Sequence, residues 1–473
     1  MLPLGWRIES VAAVYAGCRT GDQRKLGNWG ERGMPERYVN VDRETPMLLP
    51  PDLREWVAGD DLVHFVMLAV ESADLSLARG RIHGGGSLAY PPGMMMALLI
   101  YAYAQGMFSS RQIERATYQQ VSLRYLCANL HPDHDTICKF RRENRALLKA
   151  VFAQVLKLAA TMGLLQVGTV CLDGTKVLAN AAKRRTLEWA QIEALEARVE
   201  QEIEGLLEKA EAADTEREGE EGQLPQELAN RQKLQEKLAQ ARAQLCEMAE
   251  QRAAARAEDR AQWREHPIGD APRELSAQPQ PKDRINLSDP ESALLPLKGG
   301  GYGQAYNAQL ATSGQACGLI VAVQVCTQSN DRQQILPMSQ RIKAAVPAEE
   351  IVVDRGYDHP RQIEAAERTL GVEIYAPPQE APERESAVRG RISQARERAQ
   401  ALRAAMRTRV QSERGKSLSG LRNTTVEPVI GLIKSVLGFR RFSLRGLEKV
   451  NTEWTLVALA FNCRRIAGQL GKS

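Results

Sequence analysis

The sequence predicts an α/β protein: a mixed sheet flanked by helices, preceded by an all-α region and interrupted by a long helical hairpin. Three observations carry this. Residues 91–160 have helical periodicity throughout. Strand-like runs first appear in LQVGTVCLDGTKV (165–177) and resume only after residue 285. Between them, residues 186–263 are rich in Ala, Glu, Gln, Leu and Arg, with apolar residues at spacings of three and four. At 473 residues, two or three domains are expected. The hydrophobic (43%) and charged (26%) fractions are those of a globular chain.

Composition excludes some functions. Aromatics are sparse at 5%, so aromatic base-stacking platforms are not the expected binding device. The longest apolar runs, such as MMMALLI (94–100), are too short to span a bilayer. No secretory signal is evident, and the eight cysteines form no C-x-x-C pair, so a reducing cytoplasm fits. Charge is uneven. From Arg391 onward 17 Lys/Arg face 5 Asp/Glu, which points to a polyanionic partner for that part.

The elements follow in order. Residues 1–33 show no periodicity and read as a disordered upstream extension. Residues 34–160 read as a helical N-terminal domain. Within it PPGMMMALLIYAYAQG opens on proline and closes on glycine. SSRQIERATYQQ takes Ser109 or Ser110 as its cap, and PDHDTICKFRREN takes Asp135. Short helices joined by tight turns, carrying Arg111, Arg115, Lys139, Arg141 and Arg142, suggest a helix-turn-helix type of DNA-binding domain; a purely structural bundle is the alternative. In 186–263, Ile192, Leu195, Val199, Ile203 and Leu206 face Leu234, Leu238, Ala241, Leu245 and Met248, the seam of an antiparallel coiled-coil hairpin. A proline-rich linker (264–284) leads back to the body.

Strands are expected at 302–312, 317–327, 349–354 and 372–378, with helices after the second, third and fourth of these, and an Arg-rich helical insertion at 379–420. With the insertions set aside, the order is three strands, then helix, strand, helix, strand, helix. This is the order of the RNase H fold, whose first and fourth strands are neighbours. Asp173 on the first strand and Asp354 on the fourth then lie together, and Glu427, heading the last helix, supplies a third carboxylate. Three clustered carboxylates are costly to ionise together, and hard divalent cations relieve that cost, so two Mg2+ or Mn2+ ions are expected. Lys434, two helical turns after Glu427, is placed to meet a phosphate.

LDGTKVLANA around Asp173, IVVDRGYD around Asp354 and TVEPVIGLIKSVLGFRRFSLRGLEKVNTEWTLVALAFNCRRI around Glu427 together resemble the DDE transposases of bacterial insertion sequences. The helical run 90–143 resembles that family's N-terminal DNA-binding domain. The resemblance implies an RNase H-like catalytic domain over 165–185 and 285–473. It implies cleavage at element ends and strand transfer, with Asp173, Asp354 and Glu427 as metal ligands and Lys434 as a catalytic partner. Its expected partners are the terminal inverted repeats and target DNA, bound by a homodimer at the bacterial nucleoid. Lys176, Arg422, Arg440, Arg441, Arg445 and Lys449 are the expected DNA contacts near the site. One departure stands out: the family places arginine four residues before the glutamate, whereas here that position is Asn423 and the arginine is Arg422. A stand-alone nuclease and an inactive DNA-binding remnant are the alternatives. Asp331 reads as a helix N-cap, with a metal neighbour as the alternative; Asp289 reads as an Asx-type turn, Cys171 as a small buried residue, and His131 and His134 as no zinc site.

Overall fold

A computed structural model of the chain describes residues 52–78, 89–166, 168–216, 224–314, 318–379 and 391–471. The expected extension (1–33) and the segment up to 51 lie outside the described residues. From Pro50 onward the chain is one compact unit. No helix among the described residues is long and apolar enough to cross a membrane.

The N-terminal part is all helix: α1 (Leu62–Glu71), α2 (Pro92–Ala104), α3 (Ser110–Gln119), α4 (Val121–Leu126), α5 (His134–Glu143) and α6 (Arg145–Thr161). Asp61 caps α1 through the Val63 N–H and also accepts from the Ser122 hydroxyl of α4 at 2.7 Å. The cap of α5 is Asp133, not Asp135: Asp133 has extended backbone outside the helix and accepts from the N–H groups of Asp135 and Thr136. Ser109 precedes α3 without a side-chain cap bond. From Met95 to Ala104, α2 is buried on every side, the mark of a helix at the centre of a core.

Next come β1 (Thr169–Leu178), β2 (Thr186–Glu188) and two long helices, α7 (Trp189–Glu216) and α8 (Leu224–Glu265). These pack on each other through Ile192, Val199, Leu238, Ala241 and Leu245, with Leu195, Ile203 and Leu234 at the margin. Met248 falls outside this contact and is 39% exposed; Ala249 is buried instead, because the seam steps by four from Leu245 rather than by three. The hairpin base is tied down by β2 pairing with β3 (Arg284–Asn286) and by a forked Arg252–Asp283 pair at 2.8 and 2.7 Å.

The rest runs β4 (Ala293–Pro296), β5 (Tyr302–Ser313), β6 (Ile320–Cys326), α9 (Ile335–Ala345), β7 (Glu350–Val352), α10 (Pro360–Leu370), β8 (Glu373–Tyr375), α11 (Arg391–Gln411), α12 (Glu413–Thr424), α13 (Val426–Ser435) and α14 (Leu447–Leu470). One mixed sheet results. β1 is antiparallel to β5 on one side and parallel to β7 on the other; β8 extends it parallel to β7, while β4 and β6 pair with successive stretches of β5.

A second all-round buried helix, α14, joins the helical part to the sheet. Its Trp454 Nε1 donates to the Gln309 carbonyl at 2.9 Å. The Asn462 side chain both accepts from and donates to the Ile320 backbone, and Asn451 does the same at Val325. These bonds satisfy the outer edge of β6, which would otherwise stand open. The fully buried Glu453 accepts from the Ser443 and Leu444 N–H groups and from the Tyr103 hydroxyl of α2. Arg141 completes the cluster, donating to Tyr103 Oη at 2.7 Å and the Phe108 carbonyl at 2.9 Å, with its guanidinium 4.0 Å from Glu453. Arg141 was expected to face DNA; α5 turns it inward instead, where it neutralises a buried carboxylate.

Breaking this cluster leaves a buried cation unpaired. Glu453→Ala is expected to lower stability by about 3–5 kcal/mol in urea unfolding. A loss below about 1 kcal/mol, the scale of a surface pair, would contradict this account.

Candidate active site

β1 and β7 pair in parallel with Cys171 opposite Val352. Two residues past that pair on each segment stand Asp173 and Asp354, near enough that the charge of Asp354 raises the Asp173 pKa. Asp173 lies within β1 and its Oδ1 accepts from the Gly174 N–H at 2.7 Å. Asp354 stands two residues past the end of β7 and caps the short turn Arg355–Tyr357, its Oδ1 accepting from the Gly356 N–H at 2.8 Å. A Cβ at residue 356 would fall 2.9 Å from that oxygen, so glycine is needed there. Glu427 sits in the first turn of α13 and is half-exposed.

One guanidinium joins these acids. Arg422, near the end of α12, places Nη2 3.3 Å from Asp173 Oδ2 and 3.7 Å from Glu427 Oε1. Burial pushes Asp173 up to about 6; Arg422 opposes this, and the charges of Asp354 and Asp331 add to it. Asp354 is also raised, first by burial, against the pull of Arg422 and the Gly356 N–H, with Asp331 and Glu427 adding. Among the described residues, no group of three His, Cys, Asp or Glu side chains is gathered closely enough to hold a metal ion. The expected ligand cluster is therefore not closed in this state; Arg422 stands between two of its members.

Asp331 does not cap α9. Its Oδ1 accepts from Asn307 Nδ2 at 2.7 Å and Gln309 Nε2 at 2.6 Å, both on β5. The same oxygen lies 2.7 Å from where a Cβ on Gly174 would stand, so the bare backbone of Gly174 makes room for it. Asp-Gly, locally a turn signal, here continues through the strand. Asp289 is likewise no simple turn residue: it is fully buried and accepts from the Tyr306 hydroxyl and the Gly446 N–H.

Two residues beyond Asp173 on β1, Thr175 accepts from Lys434 Nζ at 2.5 Å, and the Lys176 carbonyl accepts from it at 2.9 Å. Burial lowers the Lys434 pKa, with Lys298, Arg440 and Lys176 adding to the shift. Lys434 and three further cations thus gather together. Lys298 was missed in the sequence because a lone lysine in a loop carries no signal. Arg441 lies beside Leu178, and Arg445 Nε donates to the Asn180 carbonyl. Arg111, Arg115, Lys139, Arg142, Arg440, Arg441, Arg445 and Lys449 are exposed; Lys176 is half-buried. His131 stacks on Tyr118, His134 pairs with Glu114, and Cys171 is buried.

Two family models match the chain: a transposase domain (DUF772) over residues 51–143 and a transposase DDE domain over residues 379–467. Both matches are to transposase domains, and they support a DDE transposase of an insertion-sequence family. No curated protein and no solved structure matches it. The DDE match takes in Arg422, Glu427 and Lys434, and the Arg-rich segment expected as an insertion. Asp173 and Asp354 of the transposase lie between the two matched regions.

The carboxyl of Asp173 ionises near 6 in the folded chain and near 3.8 in a model peptide. Between these values the folded chain holds the extra proton, so stability falls as pH rises through about 6. The metal-free chain is expected to gain stability by roughly 1–1.5 kcal/mol from pH 8 to pH 5, and Asp173→Asn to lose most of that gain. Urea unfolding across this range checks it; identical pH profiles for the two proteins would contradict it.

Proposed function

We propose that the chain cuts DNA at the ends of its element and joins them to a target, with Asp173, Asp354 and Glu427 as the catalytic acids. The observation that carries this reading is the parallel pairing of β1 with β7, beyond which the half-buried Asp173 and Asp354 stand close enough for the charge of Asp354 to act on Asp173, with one guanidinium between Asp173 and Glu427. The strand order β6-β5-β1-β7-β8 supports an RNase H-like assignment. The packed pair of long helices supports the coiled-coil reading of the hairpin, which we assign to contact between subunits or with DNA.

The donor set fits a hard divalent cation. It consists of carboxylates in a half-buried setting, two of them raised in pKa by burial and by their neighbours' charges. Asp173, Asp354 and Glu427 would hold Mg2+ or Mn2+. When bound, a pair of such ions supplies Lewis-acid stabilisation of the attacking and leaving oxygens at a phosphodiester. The chain's own residues do the rest. Lys434, locked to β1 by two hydrogen bonds, presents an ammonium to the charge that grows on the phosphorus oxygens. Lys176, Lys298 and Arg440 beside it draw the DNA backbone in. The Gly174 and Gly356 N–H groups fix one oxygen of each aspartate, and the second oxygen of Asp173 meets Arg422. Exposed Arg111, Arg115, Lys139 and Arg142 serve recognition of the terminal repeats, and Arg441, Arg445 and Lys449 hold phosphates nearby. Arg141 is withdrawn from this set. A chain with these tasks works in the bacterial cytoplasm, at the nucleoid.

Asp173→Asn, Asp354→Asn and Glu427→Gln are each expected to lower cleavage of a terminal-repeat substrate by about a thousand-fold or more, with DNA affinity unchanged. Lys434→Ala is expected to cost about a hundred-fold. Gel analysis of nicked and joined products reads both. Wild-type cleavage by any one of the acid variants would refute the assignment, and cleavage without joining would favour a nuclease.

A further inference from the structure

Arg422 stands where a cation shared by Asp173 and Glu427 would have to be. Its Nη2 is 3.3 Å from one carboxylate oxygen and 3.7 Å from the other. Oxygen ligands surround Mg2+ at about 2.0–2.1 Å, so an ion bound by both acids and this guanidinium cannot share the space. The hold is also loose. Built carboxylate–guanidinium forks in this chain are short and double: Arg414 grips Glu350 at 2.9 and 2.6 Å, and Arg252 grips Asp283 at 2.8 and 2.7 Å. Arg422 has one longer contact to each acid, and its buried Nε has no hydrogen-bond partner. A buried donor left unpaired costs free energy, so this seat is not the guanidinium's best environment.

The position explains why the arrangement is nonetheless kept. Asp173 and Asp354 are half-buried and close enough for their charges to act on each other, and removing all positive charge would leave them to repel. Some cation has to be present before a metal arrives. Arg422 lies in the last turn of α12, and the non-helical Thr425 (φ −116°, ψ −82°) separates it from the helix that carries Glu427. Its side chain can therefore leave without moving Glu427's helix.

We propose that Arg422 is an internal counter-ion that fills the divalent cation's seat in the metal-free chain and gives it up on loading, when its guanidinium turns to a DNA backbone phosphate. This rests on the proposed acid site and adds to it a competition between a side chain and the metal. Arg422 is then a positioning residue with two stations, one on the acids and one on phosphate.

Titration calorimetry with Mn2+ on the full, DNA-free chain tests the first station. Arg422→Gln, which keeps the shape but not the charge, is expected to bind Mn2+ about ten-fold more tightly than wild type. Arg422→Lys, whose single ammonium cannot span both acids, is expected to fall between, and it serves if the glutamine variant does not fold. On terminal-repeat DNA, Arg422→Gln is expected to reduce the slope of log affinity against log salt by about one, the loss of one phosphate contact. If wild type binds Mn2+ and Asp173→Asn does not, yet the Arg422 variants bind no more tightly than wild type, the competition is overturned while the acid site stands. If wild type binds no Mn2+ at all, the acid site and this inference both fall.

Discussion

β1 and β7 run in the same direction, paired from Thr169 opposite Glu350 to Cys171 opposite Val352, and Asp173 and Asp354 each follow two residues later. Antiparallel strands can be joined by a short turn, but parallel neighbours need a crossover. The chain between β1 and β7 supplies that crossover, together with the whole α7–α8 hairpin and the three strands β4 to β6. The outcome is two half-buried carboxylates within range of each other's charge, which destabilise the metal-free fold. The surrounding structure answers that cost. Backbone N–H groups of Gly174 and Gly356 each take one carboxylate oxygen, and a guanidinium from α12 comes within reach of Asp173 and Glu427.

That geometry has to be held rigidly, and α14 does this. It is buried through most of its middle, carries Trp454 under β5, and closes the open edge of β6 with two asparagines. Glu453 on the same helix ties the Ser443–Leu444 turn to Tyr103 and Arg141 of the helical part. The helices that carry the expected repeat-reading cations are thus bonded to the segment that follows α13, and that segment carries Arg440 and Arg441. An aromatic chain, Tyr103–Phe108–Phe439–Phe442, runs along the same line.

Much of the frame was legible in the sequence. Strand alternation located β1, β5, β6 and β7, and the three-four spacing located the two hairpin helices. Asp173, Asp354 and Glu427 could be picked out from the order of elements, which put one on the first strand, one at the end of the fourth and one at the head of the last helix; β7 in fact ends two residues before Asp354. What stayed hidden depends on contacts between distant segments. Arg141 looks like any exposed arginine until Glu453, more than 300 residues away, is packed against it. Asp331 looks like a cap because local spacing says nothing of Asn307 and Gln309 on β5. Arg422 sits one residue away from the family's expected arginine position, and only the bend at Thr425 shows that it reaches the acids. Met248 was misplaced for a smaller reason, the choice between a step of three and a step of four.

The central claim is that the three acids form one cation site. Iron-directed cleavage of the polypeptide tests it most directly: Fe2+ takes the place of the native divalent ion, and ascorbate with peroxide generates hydroxyl radicals that cut the backbone nearest the bound ion. The account predicts cuts clustered near residues 173, 354 and 427 in the same preparation, suppressed together by excess Mg2+ and by Asp173→Asn. Cuts at only one of the three segments, or a pattern unaffected by Asp173→Asn, would contradict it.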